Sequence, residues 1–205
     1  MPERGPAAEP VSADYGVVVV GASWGGLDAL TRLVRRLPAD LGVPLVVVQH
    51  RGRHSQALLA DLLQEHAQLR VGEPRDGEPL RRGHVYVAPA DHHLLVKADH
   101  LALDTEAPVR HSRPSIDVTF SSAAETFGTA AIGVILTGAN ADGAQGLRRI
   151  VDAGGTAIVQ DPDSAEMPVM PRAAQLAVPE ATILPVDQIP PYLVSLIQAS
   201  ESPRT

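Results

Sequence analysis

Four short runs, residues 16–20, 44–48, 131–136 and 156–160, are almost wholly apolar and rich in β-branched side chains, and they constrain this chain more than any other feature. A half-exposed strand alternates apolar with polar residues. A strand apolar at nearly every position must be covered on both faces, as in a parallel sheet between two layers of helices. The stretches between the runs supply those helices. Leu27, Leu30, Val34 and Leu37 recur at helical spacing and stop at Pro38, and Leu58, Leu59, Leu62 and Leu63 form a second stripe with Ser55 as its cap. Ser115 is placed to cap a third helix whose inner face carries Ile116, Phe120, Ala123 and Phe127 and which ends at Gly128. A fourth is expected over residues 141–153, ending at Gly154 and Gly155. Residues 84–88, 93–97 and 100–104 read as shorter antiparallel strands, the last two joined through Ala98 and Asp99, which would make the sheet mixed. The fold class expected is α/β: a doubly wound, mostly parallel sheet with helices on both faces and a short antiparallel hairpin.

At 205 residues one core suffices, so a single domain over residues 15–198 is expected between polar or proline-bearing tails at 1–14 and 199–205. The 17 Lys and Arg are outnumbered by 24 Asp and Glu, and no basic run interrupts the net charge of -7, which argues against a nucleic-acid partner. The absence of cysteine removes disulfides, thiolate metal sites and cysteine nucleophiles together. No apolar run approaches the ~20 residues that span a bilayer, and the amino end lacks the basic start and apolar core of a signal peptide, so a cytoplasmic protein is expected.

The first apolar run leads directly into Gly21-Ala22-Ser23-Trp24-Gly25-Gly26 and then a helix. This is the strand, turn and helix context of a G-x-S-x-G nucleophile, where small neighbours allow the sharp turn and free N–H groups at the helix start can hold an oxyanion. A tight or phosphate-binding glycine turn is the alternative. Neither the G-x-G-x-x-G dinucleotide pattern nor the G-K-[ST] ending of a P-loop is present, which leaves nucleotide binding a minor reading.

A serine needs a base, and the base needs an orienting carboxylate. Of the eight histidines, His50 stands at the carboxyl end of the second run, the sheet edge where doubly wound folds gather reacting groups. The third run ends in Thr137-Gly138-Ala139-Asn140-Ala141-Asp142-Gly143, delivering Asp142 to the same edge. A strand-end histidine can equally be a polar cap, and an aspartate before glycine a turn or helix cap. His54 is spaced to pair with His50 on a metal, but no third ligand follows, and His92 and His93 point to opposite faces of a strand.

Taken together and in order, the glycine-serine turn, the Gln49-His50 strand end and the 136–143 stretch resemble the catalytic domain of CheB, the chemotaxis protein-glutamate methylesterase. Residues 85–93 (VYVAPADHH), 113–117 (RPSID) and 170–174 (MPRAA) add to the likeness, which covers roughly residues 15–197. The resemblance implies a serine hydrolase that converts glutamate γ-methyl esters of chemoreceptors to glutamate and methanol, some members also deamidating glutamine, with no cofactor. Carried over by position, Ser23 is the nucleophile, His50 the base and Asp142 the orienting carboxylate. Trp24, Gly25 and Ala139 fall at the oxyanion site and pocket, and His111 and Arg113 where substrate contacts would lie. The order Ser, His, Asp differs from the Ser, Asp, His order of α/β-hydrolases.

The chain departs from the family pattern at four points. Trp24 replaces the small polar residue, commonly threonine, that follows the nucleophile, and a bulky indole there would narrow the pocket, change the substrate or simply face away. Ala139 and Asn140 replace Met-Gly, and Val169 replaces a glycine before Met-Pro. Only 14 residues precede the first strand, so the receiver domain that covers the active site of typical members is not expected here, and one would have to act in trans. The partner implied is a methylated chemoreceptor or another methyl-esterified protein, with the membrane approached only through a receptor. The rival reading is a catalytically weak binding module of the same fold with Trp24 filling its site.

Overall fold

The structure, a computed structural model, describes residues 15–52 and 58–201. The tail 1–14 and the positions of His54 and Ser55 lie outside the described residues. Seven parallel strands form the main sheet in the order β10-β9-β8-β1-β2-β5-β3. They are β1 (Val17–Ala22), β2 (Leu45–Gln49), β3 (Arg70–Gly72), β5 (His84–Val87), β8 (Ala131–Ile135), β9 (Thr156–Gln160) and β10 (Thr182–Leu184). A separate antiparallel sheet, β4-β7-β6, contains β4 (Glu78–Pro79), β6 (His93–Val96) and β7 (His100–Asp104).

The side chains of β1 divide the core. Val18, Val20 and Ala22 pack with α1 (Gly26–Val34), α2 (Leu58–Gln64) and α6 (Ile189–Glu201). Val17 and Val19 pack with α3 (Ile116–Phe127), α4 (Ala144–Asp152), α5 (Val169–Ala177) and the small sheet. Both faces of the four apolar runs are thus covered, as their composition requires.

Three expectations are corrected. The 84–88 run is not antiparallel: β5 lies in the parallel sheet between β2 and β3, with Val85 and Val87 in one core and Tyr86 and Ala88 in the other. The hairpin forms as expected, but in its own sheet, so the main sheet is parallel rather than mixed. Helix α6 runs through Ala199 and Ser200 to Glu201, into the expected tail. No helix among the described residues is long and apolar enough to cross a membrane.

The connection from β1 leads to β2 on one side, while β8 pairs with β1 on the other, so a topological switch point lies between the carboxyl ends of β1 and β8. Ser23 follows β1, His50 follows β2 and the turn carrying Asp142 follows β8. Helices α3 and α4, which frame this edge, approach closely at Gly146, where a Cβ would stand 2.6 Å from the Phe120 Cβ and 3.1 Å from the Asp117 backbone. Alanine is the better helix former by about 1 kcal/mol, but the overpacked contact outweighs that gain. Gly146→Ala is therefore expected to lower stability by about 1–3 kcal/mol in urea denaturation.

Candidate active site

The turn that carries Ser23 is held from three strands. The Ser23 N–H donates to the Thr137 carbonyl (3.0 Å), and the Ser23 carbonyl accepts from the Gln49 side-chain amide (2.7 Å) and the Gly26 N–H (2.9 Å). The Thr137 hydroxyl donates to the Trp24 carbonyl (2.9 Å). Gly25 adopts φ 75°, and a side chain there would meet Glu166, so glycine is required for both conformation and space. Among the described residues, no acceptor takes the backbone N–H of Trp24, Gly25 or Ala139.

His50 and Asp142 meet across the switch point, with Nε2 of His50 2.8 Å from Oδ2 of Asp142. The carboxylate is 2% exposed and accepts three further hydrogen bonds: from the Ser115 hydroxyl (3.0 Å) and from the N–H groups of Ile116 (2.8 Å) and Asp117 (3.0 Å). Ser115 occupies the N-cap position of α3, but its hydroxyl serves Asp142 instead of the helix, and Asp142 itself satisfies the first N–H groups of α3. Asp117 answers by accepting from the N–H groups of Gly143 (2.9 Å) and Gly146 (2.7 Å) at the start of α4. The two readings of Asp142, helix cap and partner of histidine, are both present in one carboxylate.

Burial opposes the charge on Asp142, yet the hydrogen bond from His50 and the N–H groups of Asp117 and Ile116 outweigh it and hold the carboxyl below the usual carboxylate range. Burial pushes the Asp117 carboxyl up against the pull of the Gly146 N–H, and the neighbouring charge of Asp142 adds to the rise.

Ser23, His50, Arg51, His111, Arg113 and Asn140 face a cavity of about 410 Å³. His111 is exposed, with φ 68°. Arg113 lines the cavity while bonding Asp91 (2.7 and 3.1 Å) and the carbonyls of Thr105 (2.6 Å) and Glu106 (2.9 Å), so its guanidinium is also packed into the fold. The Trp24 indole is 64% exposed and donates to Glu166 (3.1 Å). It does not line this cavity, which matches the alternative of an indole that faces away. Gly25 borders a neighbouring cavity.

Sequence reasoning missed Arg51, which bonds Glu73 and the Ala88 carbonyl (2.6 Å) while its buried Nε and Nη1 have no partner among the described residues. It also missed the part of Gln49 in holding the turn, for which the strand-end position was the available signal. His93 is buried, with Nδ1 accepting from the Ser115 N–H (3.2 Å) and Nε2 donating to the Ala107 carbonyl (3.2 Å), a structural assignment. Among the described residues no three His, Asp or Glu side chains cluster as metal ligands would.

A sequence model of a family described as CheB methylesterase matches residues 18–193. The chain belongs to the CheB methylesterase family. It is 40% identical over 186 residues to a putative protein-glutamate methylesterase/protein-glutamine glutaminase of Leptospira interrogans, covering 90% of this chain and 96% of that protein. It is 43% identical over 194 residues to protein-glutamate methylesterase/protein-glutamine glutaminase 2 of Anaeromyxobacter dehalogenans, of which it spans 57% against 95% of itself. The crystal structure of the Thermotoga maritima CheB methylesterase catalytic domain superposes with a TM-score of 0.86 at 34% identity, covering 90% of this chain and all of that one.

The two aspartates of this CheB-family site respond oppositely to loss of charge. Both N–H groups at Asp117 reach the same oxygen, Oδ1, so Asp117→Asn can keep both bonds and relieves a buried charge beside Asp142. At pH 7 it is expected to be as stable as the parent or more so in thermal denaturation. Asp142 uses both oxygens, so Asp142→Asn turns an NH₂ toward a donor and is expected to cost about 1–3 kcal/mol at pH 7. Because the Asp142 carboxyl is depressed, that stabilisation is present above the unfolded value near pH ~4 and is lost as pH falls through the folded one. The gap between parent and Asp142→Asn should therefore close in acid.

Proposed function

We propose that the protein is a serine hydrolase of the protein-glutamate methylesterase type, acting in the cytoplasm on glutamate γ-methyl esters of a methylated chemoreceptor or another methyl-esterified protein. The observation that carries this reading is the pairing of His50 Nε2 with Asp142 at 2.8 Å. An ionised carboxylate only accepts, so the ring proton sits on Nε2 and the Nδ1 lone pair is left as the base. Ser23 and His50 share the cavity that would receive the ester.

Ser23 Oγ attacks the ester carbonyl as His50 Nδ1 takes its proton, and the carbonyl π electrons move to oxygen. The N–H groups of Trp24, Gly25 and Ala139, which meet no acceptor among the described residues, are the candidates to donate to that oxyanion. Collapse of the tetrahedral intermediate breaks the C–O bond to the methoxy group, which leaves as methanol with the proton held by His50. Water then attacks the glutamyl-serine ester under the reverse roles, restoring Ser23 and releasing the glutamate carboxylate. The same sequence on a glutamine side chain releases ammonia. Asp142 stays ionised throughout and faces the imidazolium. No step requires a cofactor.

The indole of Trp24, bonded to Glu166 on the surface, does not fill the site, which removes the main support for a merely binding module. The test is a fluorophosphonate probe located by mass spectrometry, followed by methanol release from methylated receptor cytoplasmic domains. Labelling at Ser23 is expected, lost in Ser23→Ala and His50→Ala. By analogy with serine proteases, Asp142→Asn should lower turnover by on the order of 10⁴. An unlabelled parent protein, or a Ser23→Ala variant of full activity, overturns the reading.

A further inference from the structure

The side chain of Asn140 takes no part in the steps above, yet it stands against the one atom on which they turn. Its Nδ2 lies 3.3 Å from His50 Nδ1, and its Oδ1 accepts from the Asp142 N–H at 3.1 Å. The second contact fixes the orientation of the first. Were the amide reversed, an NH₂ would face a backbone N–H, two donors together, so the nitrogen must be the end that points to His50. An amide NH₂ donates and does not accept, so His50 Nδ1 must be the acceptor. Asp142 demands the same tautomer from the other side of the ring, where Nε2 donates to Oδ2 at 2.8 Å. The contact exists only with the neutral ring, since a second proton on Nδ1 would set donor against donor.

We propose that Asn140 is a positioning residue for the general base: its amide holds neutral His50 with the Nδ1 lone pair toward the cavity, and yields that lone pair to the Ser23 hydroxyl. This rests on the function proposed above. A glycine, which the family commonly carries at this position, has no amide to offer. The other charged or titratable groups around His50 are Asp142, Arg51 beside it in the chain, and His111 and Arg113 from the segment ahead of α3. Arg51 is bonded to Glu73 and Arg113 to Asp91, and a guanidinium carries only donors, so neither offers the ring an acceptor.

The test compares the parent with Asn140→Gly and Asn140→Asp by the pH dependence of fluorophosphonate labelling at Ser23 and by NMR titration of the His50 ring, assigned with His50→Gln. Asn140→Asp keeps an oxygen for the Asp142 N–H but presents an acceptor to Nδ1, which invites a second ring proton. Its acid limb and ring titration are expected to move to higher pH by about one unit or more. Asn140→Gly should move them the same way by about half a unit, through loss of one hydrogen bond to the neutral ring. Superimposable titrations for all three proteins overturn the proposal, as does a shift to lower pH. A parent that never labels overturns the hydrolase reading instead, and the ring titration still decides the role of Asn140.

Discussion

One buried carboxylate, that of Asp142, organises the sheet edge where Ser23 and His50 stand. Helix α3 begins at the sheet edge with its first N–H groups unsatisfied, as every helix does, and here Asp142, from the turn leading into α4, takes two of them. Asp117, from the first turn of α3, takes two at the start of α4. Each helix is thus capped by a residue attached to the other, and neither could shift along its axis without orphaning buried donors in both. The close approach at Gly146 fits this exchange, because the caps are short and the helices must come together for them to reach.

Holding the nucleophile turn is a separate task, carried by neutral groups. Gln49 and Thr137, at the ends of the strands on either side of β1, bond the carbonyls of Ser23 and Trp24, and Thr137 also receives the Ser23 N–H. Anchors of this sort fix the turn without using the N–H groups of Trp24 and Gly25, which meet no acceptor among the described residues. That separation suits the proposed chemistry, in which the anion forms on the substrate and the donors must be in place beforehand.

The strands were legible because being covered on both faces leaves a compositional mark at every position, and the edge that gathers Ser23, His50 and Asp142 followed from strand direction alone. What was not legible was set by partners distant in sequence. Residues 84–88 carry a strand pattern, but whether such a strand runs parallel or antiparallel is decided by β2 and β3, not by its own residues. Trp24 adjoins the nucleophile in sequence, and only Glu166, 142 residues away, shows that the indole turns outward. For Arg113 the choice between substrate contact and packing on the fold stayed open, because one of its acceptors, Asp91, stands 22 residues back in the chain. Ser115 was correctly placed at a helix start, but no local rule could indicate that its hydroxyl would serve a carboxylate 27 residues further along.

Giving one aspartate both tasks has a chemical consequence. A carboxylate that only oriented a histidine could be solvated, and its hold on the ring would be shared with water. Buried, it would ordinarily lose its charge, because desolvation favours the protonated form. The Ser115 hydroxyl and the two N–H groups of α3, aided by the positive end of the helix dipole, keep it ionised without water. Both oxygens are held in place, so Oδ2 offers His50 one fixed direction. The cap that stabilises α3 is therefore also what keeps an anion opposite the imidazole in the proposed proton transfer, and a substitution that spared one task while removing the other would have to change the oxygens of Asp142 separately.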